Sequence, residues 1–133
     1  MRGLAYVAVL LGLAVGIAFG SPAGAQQRWA AIDPNGEASS PVVWAPSERE
    51  ARQRAVDVCK RLSQSCANGP ASTDDMGDVF AVMCCRAPRL GCAAAAAGGR
   101  QEALKSVQKM FADAGYSNCA LRHYMSAGTG RKQ

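Results

Sequence analysis

Histidine and aromatic residues, on which many catalytic, metal and nucleic-acid sites depend, are scarce in this sequence. His123 is its only histidine, and none of its cysteines has the Cys-x-x-Cys spacing of zinc and thiol-redox motifs. Aromatic residues make up 6% of the chain, too few for a platform on which nucleotide bases stack. The formal net charge of +5 is a mild bias. We therefore assign no cofactor, no metal and no nucleic-acid partner.

Long apolar runs are also missing, except near the start of the chain. Arg2 precedes an apolar run over residues 4–19, and small residues follow it up to Ala23-Gly24-Ala25. The run is shorter than the roughly 20 apolar residues of a membrane span. The pattern predicts a secretory signal peptide over residues 1–25, cleaved after Ala25, and a secreted or periplasmic product without a stable membrane span.

Six cysteines follow the predicted signal peptide, and disulfides persist in the oxidising compartments that such a signal serves. We therefore expect three bridges. The best single prediction joins Cys59, on the apolar face of a predicted helix, to Cys66 just beyond its end. Closing this short loop would stabilise the fold by about 2.5 kcal/mol.

The adjacent cysteines Cys84 and Cys85 fall in a predicted strand, where their side chains point to opposite faces. A bridge between them is disfavoured for that reason. Two pairings then remain open, Cys84 with Cys92 and Cys85 with Cys119, or Cys84 with Cys119 and Cys85 with Cys92.

Two amphipathic helices are predicted from apolar residues that recur with the same spacing. The first set is Ala51, Ala55, Val58, Cys59 and Leu62, and the second is Ala103, Val107, Met110, Phe111 and Ala114. Ser47 and Glu50 have the capping-box spacing that begins a helix, and Gly115 ends the second helix, which starts near Arg100. The recurrence indicates two related halves.

The segments between the helices predict a small sheet. The predicted strands cover residues 29–32, 42–44, 79–85, 91–97 and 118–124. The apolar strand 79–85 is expected at the centre, and Asp33-Pro34-Asn35-Gly36 predicts a tight turn. Residues 68–78 predict a mobile loop, and residues 126–133 a disordered tail.

These elements predict an α+β fold, with a small antiparallel sheet on which both amphipathic helices pack. Each half contributes strands and one helix, and disulfides stabilise the whole. A single domain is expected over residues 26–125.

Three motifs resemble those of small secreted bacterial proteins catalogued as domain of unknown function forty-one eighty-nine. They are WAAI followed by DPNG, SEREARQRAVDVC, and GCAAAAAGGRQEAL, and they cover most of the chain after the signal peptide. Proteins of that family usually have a strand in the stretch after Cys66, where ANGPASTDDMGD stands here. The resemblance implies an exported domain and transfers no catalytic residue to this chain.

The favoured hypothesis is an exported, non-enzymatic interaction module, such as an inhibitor or an envelope-associated factor, whose partner is a protein or an envelope component. Trp29 and Trp44, beside Arg28, form the candidate binding edge if both indoles are exposed, although a core position is the expected one. The rival hypothesis is a small enzyme that uses Cys84 and Cys85 in thiol redox chemistry, or His123 in hydrolysis. The oligomeric state stays open.

Overall fold

The two halves of the chain have the same order of elements in the computed structural model, which describes residues 28–35, 40–67 and 69–133. The elements are β1 (Trp29–Ile32), β2 (Val43–Ala45), α1 (Glu48–Leu62), β3 (Ala71–Thr73), β4 (Val79–Ala87), β5 (Gly91–Ala97), α2 (Arg100–Asp113) and β6 (Ser117–Ser126). Each half thus runs strand, strand, helix, strand. The predicted signal peptide lies outside the described residues.

Each half forms its own antiparallel sheet of three strands, and the first strand of the half is the central one. The strand orders are β2-β1-β3 in the first sheet and β5-β4-β6 in the second sheet. In the first sheet Ala30 lies opposite both Trp44 and Thr73. The α+β fold class is confirmed, and its strands are divided between two sheets because each central strand has both neighbours within its own half.

The layers follow from the alternation of side chains along the strands. Ala30 and Ile32 of the first sheet share a buried cluster with Phe80 and Val82 of the second sheet. Ala31 points the other way and packs with α1, and α2 covers the far face of the second sheet. The order of layers is α1, first sheet, second sheet, α2.

Local signals explain both helices. The Ser47 hydroxyl accepts a hydrogen bond from the Glu50 amide at 3.2 Å and begins α1, as its capping-box spacing predicts. Gly115 follows α2 with a φ of +77°, a conformation that residues with a Cβ atom rarely adopt. Among the described residues, neither helix is long and apolar enough to cross a membrane.

The apolar stripes are buried only in their middle parts. The buried residues are Ala51, Ala55 and Cys59 in α1, and Ala103, Val107 and Phe111 in α2. Leu62 and Met110, which the same stripes place in the core, are 56% and 48% exposed. The prediction is wrong at these two positions and at Ala114, which is exposed as well. Leu62 is the last residue of α1 and Ala114 follows α2, whereas Met110 lies at the edge of the buried stripe.

The predicted mobile loop over residues 68–78 contains a strand. β3 pairs with β1, with Ser72 opposite Ala31, and so completes the first sheet. The hydroxyl of the buried Thr73 donates to the Asp78 carboxylate at 2.6 Å and joins the two ends of the following turn. The loop prediction is wrong here because the strand owes its existence to a distant partner.

The prediction of a disordered tail over residues 126–133 is also wrong. Ala127 is fully buried, and its carbonyl accepts a hydrogen bond from Nε1 of Trp44 at 2.8 Å. The amide of Gln133 donates to the carbonyl of Tyr124 at 3.0 Å. The tail therefore folds back on β6 and contacts the first half.

The described part of the predicted tight turn after β1 lies in the interior. Asp33, Pro34 and Asn35 are all buried. The backbone of Asn35 pairs with that of Cys66 in an isolated antiparallel β-bridge. The rest of the predicted turn, from Gly36, lies outside the described residues. This segment brings a carboxylate into the interior.

Candidate functional site

The three expected disulfides are formed, and all six cysteines lie in the described part of the chain. Cys59 pairs with Cys66, as predicted. Of the two pairings left open for the other four, the structure has Cys84 with Cys92 and Cys85 with Cys119. Each of these bridges joins residues that lie opposite one another in neighbouring strands, so the register of β4 selects the pairing.

The register also bears on the redox hypothesis for Cys84 and Cys85. Each residue is bonded to a different neighbouring strand, and they are 8% and 0% exposed. An attacking thiolate must reach a disulfide sulfur directly. The sulfurs of Cys84 and Cys85 are therefore shielded from a thiolate, whereas those of their partners Cys92 and Cys119 belong to a half-buried and an exposed residue.

A buried carboxylate lies beside the remaining bridge. One oxygen of Asp33 and the Sγ atoms of Cys59 and Cys66 all lie within 4.8 Å of one another; we call these three residues the acid–disulfide centre. Asp33 is 1% exposed, and neither of its carboxylate oxygens has a hydrogen-bond partner of ordinary geometry among the described residues. Both sulfurs are engaged in the disulfide, so in this oxidised state the three residues do not offer two thiolates to a metal ion.

The electrostatic setting favours the neutral form of this carboxylate. Burial raises the pKa of Asp33, because the charged form loses its hydration. The nearby backbone amide of Gly69 and the positive charge of Lys60 act in the opposite direction and are the smaller effects. The centre thus holds a carboxyl group that keeps its proton more readily than an exposed aspartate.

A surface groove borders the same disulfide. It has a volume of about 430 Å³ and lies between the chain after α1, the turn from β4 to β5 and the end of α2. Its main lining residues are Cys66, Arg89, Leu90, Cys92, Met110 and Tyr116. We call this depression the α2 groove.

Two apolar side chains of the α2 groove face solvent. Leu90 is 59% exposed and Met110 is 48% exposed. The Tyr116 ring packs so closely on the backbone of Gly91 that a Cβ there would lie 2.8 Å from its Cε1 atom. The Arg89 guanidinium lies 5.7 Å from the Tyr116 ring centroid. The groove therefore combines exposed apolar surface, a fixed aromatic ring and one positive charge.

A wider depression of about 640 Å³ beside α1 is a weaker candidate. Its lining includes Glu48 and Arg52. The Arg52 guanidinium donates to the Ser72 hydroxyl at 3.2 Å, and that hydroxyl donates to Glu48 at 2.9 Å. These polar groups already satisfy one another within the protein.

The predicted binding edge of Trp29, Trp44 and Arg28 is only partly brought together. The two tryptophans are half-buried and lie on opposite faces of the first sheet, Trp29 with the α1 cluster and Trp44 with the central core. The Arg28 guanidinium lies 4.7 Å from the Trp44 ring centroid. Because they belong to different faces, the two indoles do not form one exposed edge.

His123, the candidate base, lies in β6. Its Nε2 atom is buried and has no hydrogen-bond partner among the described residues. Burial lowers the pKa of His123, and the positive charges of Lys132 and Arg122 lower it further. A general base in hydrolysis needs a hydroxyl or thiol within hydrogen-bonding reach, and the described residues place none at Nε2.

Sequence reasoning missed Asp33 and the groove residues Leu90 and Met110. The motif Asp-Pro-Asn-Gly predicts a surface turn and gives no sign of a buried carboxylate. A weak signal existed for Met110, since at 100° per residue it lies at the edge of the stripe formed by Ala103, Val107 and Phe111. When the chain was compared with protein-family models, curated proteins and solved structures, no match was found.

Proposed function

We propose that the protein is an exported, non-enzymatic interaction module, acting in the periplasm or outside the cell, which binds a partner protein in the α2 groove. Its role is that of an inhibitor or an envelope-associated factor, in line with the resemblance to the secreted family. Three disulfides support an oxidising location.

The observation that carries the proposal is the exposure of Leu90 and Met110 on one groove. Large apolar side chains that face water on the same depression lower their free energy when a partner covers them. Methionine, tyrosine and arginine are also enriched at protein interfaces. The groove supplies all three types with Met110, Tyr116 and Arg89.

The occupant we infer is an extended segment of the partner. Its apolar side chain lies between Leu90 and Met110, and a carboxylate lies against Arg89, the charged residue of the groove lining. Tyr116 forms a rigid wall because its ring is held by Gly91 on one side and by an edge contact with Phe111, at 5.3 Å between centroids, on the other. A rigid wall lowers the entropic cost of binding.

The test places a photo-crosslinking amino acid at position 90 and, as a control, at position 62. Leu62 is 56% exposed, similar to Leu90, and does not line the groove. We expect a discrete adduct with an envelope or secreted protein from position 90 only. Unlabelled wild-type chain should compete, and a Leu90→Ser, Met110→Ser variant should compete about 10- to 100-fold less well.

Three outcomes would contradict the proposal. Adducts of equal yield from positions 90 and 62 would indicate nonspecific capture. Undiminished competition by the double variant would show that the groove does not carry the affinity. An adduct with twice the mass of the chain would identify a second copy as the occupant.

A further inference from the structure

The bridge between Cys59 and Cys66 differs from the other two in its surroundings. Its sulfurs lie within 4.8 Å of an Asp33 oxygen. Among the described residues, neither of the other two disulfides has an acidic side chain placed in this way. We propose that Cys59 and Cys66 form a thiol–disulfide exchange centre, in which the Asp33 carboxyl group gives a proton to, and takes one from, the sulfur of Cys59. This stoichiometric exchange with a dithiol is separate from the binding function proposed above and does not depend on it.

The two sulfurs of the bridge are not equivalent. Cys59 is 1% exposed and lies on the buried face of α1, whereas Cys66 is partly exposed and lines the α2 groove. An incoming thiolate therefore reaches Cys66 from the groove. Cys59 is left as the departing sulfur, and it lies within 4.8 Å of the Asp33 oxygen.

The exchange uses a dithiol as reductant. Its thiolate attacks Sγ of Cys66, the bond between Cys66 and Cys59 breaks, and a mixed disulfide forms between the reagent and Cys66. Cys59 leaves as a thiolate and takes the proton of the Asp33 carboxyl group. The second thiol of the reagent then loses its proton and attacks its own mixed-disulfide sulfur, and Cys66 leaves as a thiolate that takes up a proton from solvent. The reagent is thereby oxidised to its disulfide and the protein holds two thiols.

Asp33 supplies the proton that neutralises the departing Cys59 thiolate. A thiolate released at the buried Cys59 would be an uncompensated charge in the interior, which is strongly unfavourable. Because burial raises the pKa of Asp33, the carboxyl group keeps its proton to a higher pH than an exposed aspartate, and we assign it as the proton donor. The carboxylate that results is stabilised by Lys60 and the Gly69 amide, the two groups that favour its ionised form.

The same groups serve the reverse reaction. When Cys59 attacks a mixed disulfide on Cys66, the Asp33 carboxylate accepts the thiol proton and makes Cys59 a nucleophile. Only one negative charge is then held at the centre at any stage.

The test uses the oxidised mature chain, limiting dithiothreitol and rapid alkylation, with each cysteine assigned by peptide mass mapping. Under native conditions we expect Cys59 and Cys66 to be alkylated about tenfold or more faster than the other four cysteines. The rate should increase in proportion to the dithiothreitol concentration. Reduction of all three bridges at one rate, or of another bridge first, would overturn the proposal.

The role of Asp33 is tested by the pH dependence of that rate, corrected for the thiolate fraction of the reagent. In the wild type the corrected rate should fall about tenfold or more as Asp33 loses its proton with rising pH. Asp33→Asn should remove this inflection. Asp57→Asn is the matched control, since it removes one negative charge from the exposed side of α1, the helix that carries Cys59.

An Asp33→Asn variant with the inflection of the wild type would exclude Asp33 as the proton donor. A flat wild-type profile would exclude it as well, and this measurement does not depend on the folding of any variant. The crosslinking test of the groove uses the oxidised protein throughout, so failure of one proposal is distinguishable from failure of the other.

Discussion

Removal of the two bridges of β4 should have unequal effects on stability. Cys84 and Cys85 are neighbours on the same strand, but Cys84 pairs across 8 positions and Cys85 across 34. A crosslink that closes a longer loop removes more conformational entropy from the unfolded chain. The Cys85–Cys119 bridge should therefore stabilise the fold more than the Cys84–Cys92 bridge.

The loop lengths set the magnitudes. On the chain-entropy model the free energy of unfolding should fall by about 3.8 kcal/mol in Cys85→Ala, Cys119→Ala and by about 2.6 kcal/mol in Cys84→Ala, Cys92→Ala. The difference of about 1.2 kcal/mol is the robust quantity, because each pair has one buried partner on β4 and loses two sulfur atoms.

Urea denaturation, followed by circular dichroism, measures these losses. The three variants, including Cys59→Ala, Cys66→Ala, should be compared under identical oxidising conditions at one pH. Equal losses for the two bridges of β4, or a larger loss for Cys84 and Cys92, would refute the loop-entropy reasoning. Packing strain or residual structure in the unfolded chain would then decide the ranking.

Two further predictions concern His123 and Trp44. Because the folded state lowers the pKa of His123, folding stability should decrease as the pH falls below the ordinary histidine value of 6.5. The melting temperatures at pH 8 and pH 5 should therefore differ less in His123→Gln than in the wild type. An equal difference in the two proteins would contradict the effect of burial on His123. Trp44→Phe removes the hydrogen bond to the Ala127 carbonyl, so the free energy of unfolding should fall by about 1 kcal/mol. Proteolysis of the C-terminal segment should become faster in this variant. The control Trp29→Phe should leave that proteolysis unchanged.

The sequence predicts those parts of the fold that depend on local chemistry. Ser47 and Glu50 predict the start of α1 because the capping hydrogen bond joins residues three positions apart. β5 was predicted with the correct bounds because Gly91 and Gly98 leave a segment too short for a stable helix. The capping residues and the flanking glycines both lie within a few residues of the element that they predict.

The parts that sequence reasoning missed depend on distant residues. β3 consists of Ala71, Ser72 and Thr73, which have little apolar character, and it is a strand because it pairs with β1. The ordered tail depends on the contact between Ala127 and Trp44, 83 positions apart. Neither interaction leaves a mark on the local pattern.

The candidate site was hidden for the same reason. Asp33 stands in a motif that favours a turn, and only the meeting of its segment with the end of α1 buries it. Cys59 and Cys66 were found because they are close in sequence, but their acidic neighbour is supplied by another element. Packing between elements, which no single segment encodes, creates the chemistry of this centre.

The two bridges of β4 have a consequence for a chain that has been cut. They attach this strand covalently to both β5 and β6. One peptide bond broken by a protease between Cys85 and Cys119 would leave fragments that still migrate together until a reductant separates them. Such damage would escape notice in a nonreducing gel.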